Sequence, residues 1–429
     1  MHRMKRKQGK KLYGMPTLLT LLLAFTALVI YRFSMYPGRD RAFFGKIPFD
    51  LKIYQMAGKD LKAGGQLYDA PYIHEFPFTY PPFAGWFFEW MADFSDHDLM
   101  VIWQWVTGIA LFIVIMLVIR ERGYRLGPLT WLVGIALLVS SLAAEPINGT
   151  FYYGQINILL MFLVSLDLLL PTKLRLPGIG IGIAAGMKLT PAYMGLALLF
   201  QKRWWAAIGS IAAFAVTIGI GVAFVPDAKD FWTDKVFNSN RIGEVDAPGA
   251  KSLRSVLARL TGEDDTALWL LGVAIIVMVT MLALRTAWIR KNSTAAFALT
   301  GLSACLVSPF SWYHHFVWVV PFGIWVMLAV NEAIGTRLRT VWGAQLAAVA
   351  SFLALLIVEL PFVAAPVWLG GSSRTLDALE TFQPLASLVW PLACFLYIAV
   401  YAIWGFMPQK RTTELDAAPT TRIPTVRVK

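Results

Sequence analysis

Residues 173–203 read KLRLPGIGIGIAAGMKLTPAYMGLALLFQKR. Basic residues close both ends: Lys173 and Arg175 before the apolar run, Lys202 and Arg203 after it. Between them the run is broken in the middle by Lys188 and Pro191. Proline removes a helical hydrogen bond and pushes the residue before it toward extended geometry. The pattern over 177–200 therefore predicts two half-spans that dip into a membrane and return to the same side. Interrupted helices of this kind are tolerated where they line a cavity.

Working outward, longer apolar runs lie near 15–31, 99–119, 128–144, 155–171, 205–224, 267–284, 293–308, 316–330, 341–358 and 384–406. A helical crossing needs about 20 apolar residues. The reading is an all-α polytopic membrane protein with about ten full spans plus the half-span hairpin. Composition agrees: 57% of the 429 residues are apolar and 15% charged, against about 45–50% and about 25% in soluble domains. Disorder, collagen-like repeats and a disulfide scaffold are excluded. The run 15–31 follows a basic tail, as a signal peptide would, but no A-x-A site follows it, so it reads as a retained first span. Cys305 and Cys394 both sit in apolar runs and form no CxxC pair, which suits small buried hydrophobes.

Lysine and arginine set the orientation. With the N-terminus in the cytoplasm, most of the 38 Lys and Arg fall in the inner segments 1–14, 120–127, 172–176, 201–204, 285–292, 331–340 and 407–429, and most of the 26 Asp and Glu fall outside. The net charge of +12 is thus a topology signal and not a nucleic-acid footprint. One transmembrane domain is expected over 1–406, with external loops 32–98, 225–266 and 359–383. Residues 407–429 read as a disordered cytoplasmic tail. The polar mass lies on the outer, periplasmic face of a plasma membrane, so that face is where the protein should work. No internal repeat is visible, which counts against a transporter.

Several outer motifs carry chemistry. Phe49-Asp50-Leu51-Lys52-Ile53-Tyr54 opens a helix with apolar residues at 49, 53, 56 and 57, suited to lying on the membrane surface. Asp50 is either its cap or a general base at the lipid boundary. The run Phe76-Pro77-Phe78-Thr79-Tyr80-Pro81-Pro82 is an interfacial anchor or a wall for a sugar or isoprenoid. Glu145-Pro146 and Gly154-Gln155-Ile156-Asn157 flank a short outer loop, and Gln155 and Asn157 then enter an apolar span where amides need partners. A lysine near mid-membrane costs about 2.5–3.5 kcal/mol on insertion scales, so Lys188 needs water, an acid or an anion. Ser308-Pro309-Phe310-Ser311-Trp312-Tyr313-His314-His315 ends a span. Neighbouring helical side chains diverge by about 100°, so the two histidines do not share one metal on a regular helix; they suit donating to a phosphate. One acid and three candidate cations would together serve an anionic, lipid-borne substrate. No nucleotide fingerprint is present, and no cofactor is expected.

Taken together, DLKIYQMAGKDLKAGGQLY, FPFTYPP, the 145–157 segment, GMKLTPAY, Asn240-Arg241-Ile242-Gly243, SVLARLTG and SPFSWYHH resemble the polyprenol-phosphate-mannose-dependent α-(1→2)-mannosyltransferases of the actinobacterial envelope. The motifs run in family order from 50 to 315. The resemblance implies the C-type glycosyltransferase fold and an outward-facing site. It implies Asp50 as the catalytic base and Lys188, His314 and His315 as donor-phosphate residues. Tyr54, Tyr80, Glu145, Gln155, Asn157 and Arg241 are the accompanying substrate-binding candidates. Some members carry a second acid two residues before the tyrosine; here that position is Lys52. A family Asp is here Asn240, a difference that bears on acceptor choice.

The implied reaction moves mannose from polyprenol-phosphate-mannose to a hydroxyl of a mannosylated lipid, a phosphatidylinositol mannoside or lipomannan. One displacement on a β-mannosyl phosphate gives an α-link with inversion. The alternatives are a lipid-linked sugar transporter, which needs the cavity but no base, and an arabinofuranosyltransferase of the same fold. No ligand cluster demands a metal.

Overall fold

The computed structural model describes residues 9–35, 45–369 and 388–407. The expected tail beyond 407 and the loop residues 370–383 lie outside the described residues. Among the described residues the chain is helical, with pairing of extended backbone limited to three single bridges. The helices are α1 (Met15–Met35), α2 (Phe49–Lys62), α3 (Pro82–Phe88), α4 (Asp96–Glu121), α5 (Pro128–Ser140), α6 (Glu145–Tyr153), α7 (Asn157–Leu168), α8 (Ile179–Met187), α9 (Gly195–Phe200) and α10 (Trp204–Phe224). They continue with α11 (Ala228–Thr233), α12 (Leu253–Thr261), α13 (Thr266–Ile289), α14 (Ser293–Val307), α15 (Val319–Gly335), α16 (Val341–Leu369) and α17 (Val389–Trp404).

Within the described residues each long apolar run falls on one of these helices; residues 384–387 of the last run lie outside them. Among the described residues, four are long and apolar enough to cross a membrane alone: α4, α10, α13 and the 341–362 part of α16. The runs on α1, α7, α14, α15 and α17 form shorter apolar helices. The helix that begins at Val341 continues to Leu369, eleven residues past the expected end of its span at 358. Only 17% of the most apolar stretch of α10 is buried, so most of that helix offers its side chains to lipid. Polar caps fix where several helices start. Ser95 Oγ accepts from the Asp98 amide at 3.1 Å, Asp265 from Ala267 and Leu268, and Asn292 from Ala295, each satisfying amides that a helix start leaves free.

Two breaks shape the site. The first is the hairpin. Lys188 is extended (φ −156°, ψ 132°) directly after α8, and the chain turns back through 190–194 into α9. Its entry and exit meet: Arg203 donates to the carbonyls of Asp167 (2.5 Å) and Leu176 (3.1 Å). Asp167 in turn accepts from the amides of Gly178 and Ile181. Gly178 has φ +87°, and a Cβ there would lie 1.8 Å from the Ala206 carbonyl oxygen, so α10 packs against it only because it is glycine. The second break differs from expectation. Residues 145–153 are not a loop but α6, bent 81° from the preceding helix. Pro146 at its first turn suits a new helix start.

One end of the bundle collects the segments rich in basic residues. Lys10 and Arg122 both pair with Glu332, at 2.7 and 2.8 Å. Tyr13 and Asn331 exchange two hydrogen bonds. Glu121 accepts from Ser293 and Thr294, and Arg175 donates to Ser293. The chemistry-bearing motifs gather away from this end.

Candidate active site

Helix α2 does not lie flat with its apolar face on lipid. Leu51, Tyr54, Ala57, Gly58 and Leu61 are buried, and Tyr54 stacks on Phe88 of α3 at 4.6 Å. Its N-cap is Pro48, and Asp50 makes no capping bond. Asp50 points instead to α6 and its C-terminal turn, where Gln155 Nε2 donates to Asp50 Oδ2 at 2.7 Å. Gln155 Oε1 accepts from the Tyr80 hydroxyl at 3.0 Å, and the Tyr80 and Tyr54 hydroxyls are 2.7 Å apart. The contact depends on Gly154, which ends α6 at φ +70°; a Cβ there would lie 2.7 Å from Leu51 and 2.8 Å from Pro48. Burial pushes the Asp50 carboxyl up to about 6, against the opposing pull of Gln155 and Lys188. A carboxyl held there is tuned toward general-base work near neutrality. Lys52 pairs with Asp96 at 2.8 Å and takes no part in this chain of bonds.

At the hairpin break, Lys188 Nζ donates to Asn157 Oδ1 at 3.0 Å and lies 2.9 Å from His315 Nε2. It also sits over the Tyr80 ring, 5.5 Å from its centre. An ammonium has three donors, so one remains to be offered to a ligand. Asn157 Nδ2 and Thr150 both donate to the His314 carbonyl, which ties the histidine turn to α6 and α7. The two imidazoles differ. His315 engages Lys188, whereas among the described residues neither ring nitrogen of His314 has a hydrogen-bond partner. Burial, and next the Lys188 charge, hold both well below the usual histidine range. They are therefore neutral N–H donors at pH 7, not the cations that the sequence suggested.

Asp50, Tyr54, Tyr80, Glu145, Gln155, Lys188, Arg241, His314 and His315 all line one cavity of about 1050 Å³. Asn157 lines a small pocket beneath it, shared with Lys188 and His315. Arg241 donates to the Phe78 carbonyl and lies over Tyr68, so it binds the 238–243 turn to the aromatic run. Phe49 and Phe76, edge to face at 5.2 Å, also line the cavity. Cys305 is buried, free, and donates to the His315 carbonyl.

One cavity residue was missed. Lys251 is 4% exposed, lines the cavity, and its ammonium has no hydrogen-bond partner among the described residues. Burial, then the neighbouring Arg259, lower it to about 7. In sequence it is one more lysine in a polar loop. Its burial comes from long-range pairing: the Lys251 amide donates to the Ser311 carbonyl at 2.7 Å and the Tyr313 amide to the Gly249 carbonyl at 2.9 Å.

The model of glycosyltransferase family 87 matches residues 78–309. A protein of Mycobacterium tuberculosis (strain ATCC 25618 / H37Rv), a polyprenol-phosphate-mannose-dependent alpha-(1-2)-phosphatidylinositol mannoside mannosyltransferase, is 32% identical over 88% of this chain and 91% of its own length. The polyprenol-phosphate-mannose-dependent alpha-(1-2)-phosphatidylinositol pentamannoside mannosyltransferases of M. tuberculosis (strain CDC 1551 / Oshkosh) and Mycolicibacterium smegmatis are each 31% identical, over 82% and 73% of this chain and 82% and 76% of their own lengths. No solved structure matches the chain.

Proposed function

Because the chain belongs to glycosyltransferase family 87 and is a polyprenol-phosphate-mannose-dependent glycosyltransferase, we propose that it transfers mannose to a hydroxyl of a phosphatidylinositol mannoside or lipomannan. The new link is α-(1→2), made with inversion. The observation that carries this reading is the Tyr54–Tyr80–Gln155–Asp50 chain of hydrogen bonds. It ends in a carboxyl near neutrality, in the cavity that also holds Lys188 and His314.

In this mechanism Asp50 takes the proton from the acceptor hydroxyl as its oxygen attacks the anomeric carbon of a β-mannosyl phosphate. The new C–O bond forms as the bond to the phosphate oxygen breaks, and the electron pair leaves with the polyprenyl phosphate. Phosphate is already a good leaving group, so no general acid is needed. The oxocarbenium-like transition state resembles that of glycoside hydrolysis. The remaining N–H of Lys188 and the imidazole N–H groups of His314 and His315 stabilise the charge on the departing oxygen. Tyr54, Tyr80, Gln155 and Asn157 hold these groups in place, while Glu145 and Arg241 contact sugar or lipid.

The same reading has the chain cross the plasma membrane about ten times, with both termini in the cytoplasm and the cavity open to the periplasmic side. The gathering of basic segments at one end of the bundle supports it. The deciding experiment supplies the purified protein in membranes with labelled polyprenol-phosphate-mannose, with and without a phosphatidylinositol mannoside. An α-(1→2)-mannosylated lipid that appears only with acceptor is the expected product. Transfer of arabinofuranose in its place, or movement of the donor across the bilayer without transfer, would overturn the assignment.

A further inference from the structure

We propose that Lys251 is an anion-binding residue of the cavity, which with His314 takes the phosphodiester of a lipid substrate. The inference rests on the reading that this cavity receives such lipids. Its basis is an imbalance. A buried ammonium without a partner is costly, and proteins keep one where a counter-charge arrives. Lys188 has Asn157 and His315 as partners. Lys251 has neither a hydrogen bond nor an ion pair among the described residues, although it is almost wholly buried and faces the same cavity.

Its surroundings add positive charge. Arg259 donates to the carbonyls of Ala247 and Ala250 at 2.8 and 2.7 Å, directly behind the segment that carries Lys251. That segment is held against 311–313 by two backbone hydrogen bonds and the bridge between Ala250 and Trp312. The next residue along is His314, whose imidazole also lacks a hydrogen-bond partner among the described residues. Two unsatisfied buried donors, an amine and an imidazole, thus sit on adjoining, mutually pinned segments of one cavity wall. A phosphodiester has two non-bridging oxygens that share one negative charge and can accept from both. The lowered proton affinity of Lys251 agrees with a site waiting for its anion.

Both the donor and the acceptor carry this chemistry, so two probes separate the sources. Binding of polyprenol-phosphate-mannose and of phosphatidylinositol, both phosphodiesters, to the full-length protein in nanodiscs is measured for wild type, Lys251→Met and Lys251→Arg. Methionine keeps the apolar stem and removes the charge. It should weaken one probe by at least about tenfold, the scale of a lost charged hydrogen bond, and arginine should retain that binding. Loss confined to polyprenol-phosphate-mannose assigns Lys251 to the donor; loss confined to phosphatidylinositol assigns it to the acceptor. Equal weakening of both probes, or of neither, overturns the proposal. Should the methionine variant fail to fold, Lys251→Gln is read in its place by the same criteria. Because binding is read without transfer, Lys251-dependent binding in a protein that moves no mannose would leave this inference standing and remove the mannosyltransferase assignment.

Discussion

On the proposed mechanism, Asp50 is the residue on which the chemistry turns. Asp50→Asn keeps the size and the pairing with Gln155 but removes the base. Mannose transfer should fall by at least about 10²-fold, while donor binding measured at equilibrium stays near wild type. Wild-type transfer by the variant would reduce Asp50 to a structural role. The base must be deprotonated to act, and its carboxyl is raised to about 6. The wild-type kcat/KM should therefore be flat above that pH and fall roughly tenfold per unit below it, a limb that the asparagine variant lacks. The histidines should also separate. His314→Ala removes an imidazole with no hydrogen-bond partner among the described residues; it should slow single-turnover transfer by about 2–4 kcal/mol and cost stability only through its lost packing against Tyr153, Trp312 and Tyr313. His315→Ala removes a partner of Lys188 and should lower thermal stability as well. Asp50 and Lys188 stand out in the sequence because each is an exception in its surroundings, an acid in the first turn of an amphipathic helix and a lysine in an apolar run. Lys251 was not, because lysines in outer loops are ordinarily solvated and nothing local marks this one as buried.

At the scale of elements, the site exists because α2 reaches the end of α6. Gly154→Ala tests that contact. The positive φ and the contacts with Leu51 and Pro48 should cost about 1–3 kcal/mol, and shifting α2 should also lengthen the Gln155–Asp50 bond and depress transfer. An alanine variant with wild-type melting and turnover would show that α2 has another way to its position. The half-span hairpin was legible from Lys188, Pro191 and the basic residues at both ends. The bend between α5 and α6 was not. Proline at 146 reads equally as a loop or as the first turn of a helix, and only the packing of α6 against the histidine turn, through Thr150 and the His314 carbonyl, favours the helix. The amphipathic face of α2 was misread for a related reason: Tyr54 and Gly58 are buried by α3, a partner that the helix's own periodicity does not reveal.

For the whole molecule, apolar runs located the long helices among the described residues, since lipid-facing and buried positions are both apolar and the runs stand out against short basic links. It could not set helix ends, because continued apolar sequence lets a helix run on, as after residue 358. The orientation is open to a direct test. Single cysteines introduced at Asn240 and Asp416, in a background where Cys305 and Cys394 are replaced, should differ toward an impermeant thiol reagent added outside. Position 240 should label and position 416 should not. The reverse pattern would put the cavity on the cytoplasmic side and remove a lipid-linked donor from consideration.

Because residues 177–203 enter and leave at the same level, fixed there by Arg203 on Leu176 and Asp167, the hairpin contributes an even step to the chain's path. Every helix after it points the same way whether or not it has been inserted. During synthesis, α10 and all that follows can thus be threaded correctly before Lys188 is drawn into place.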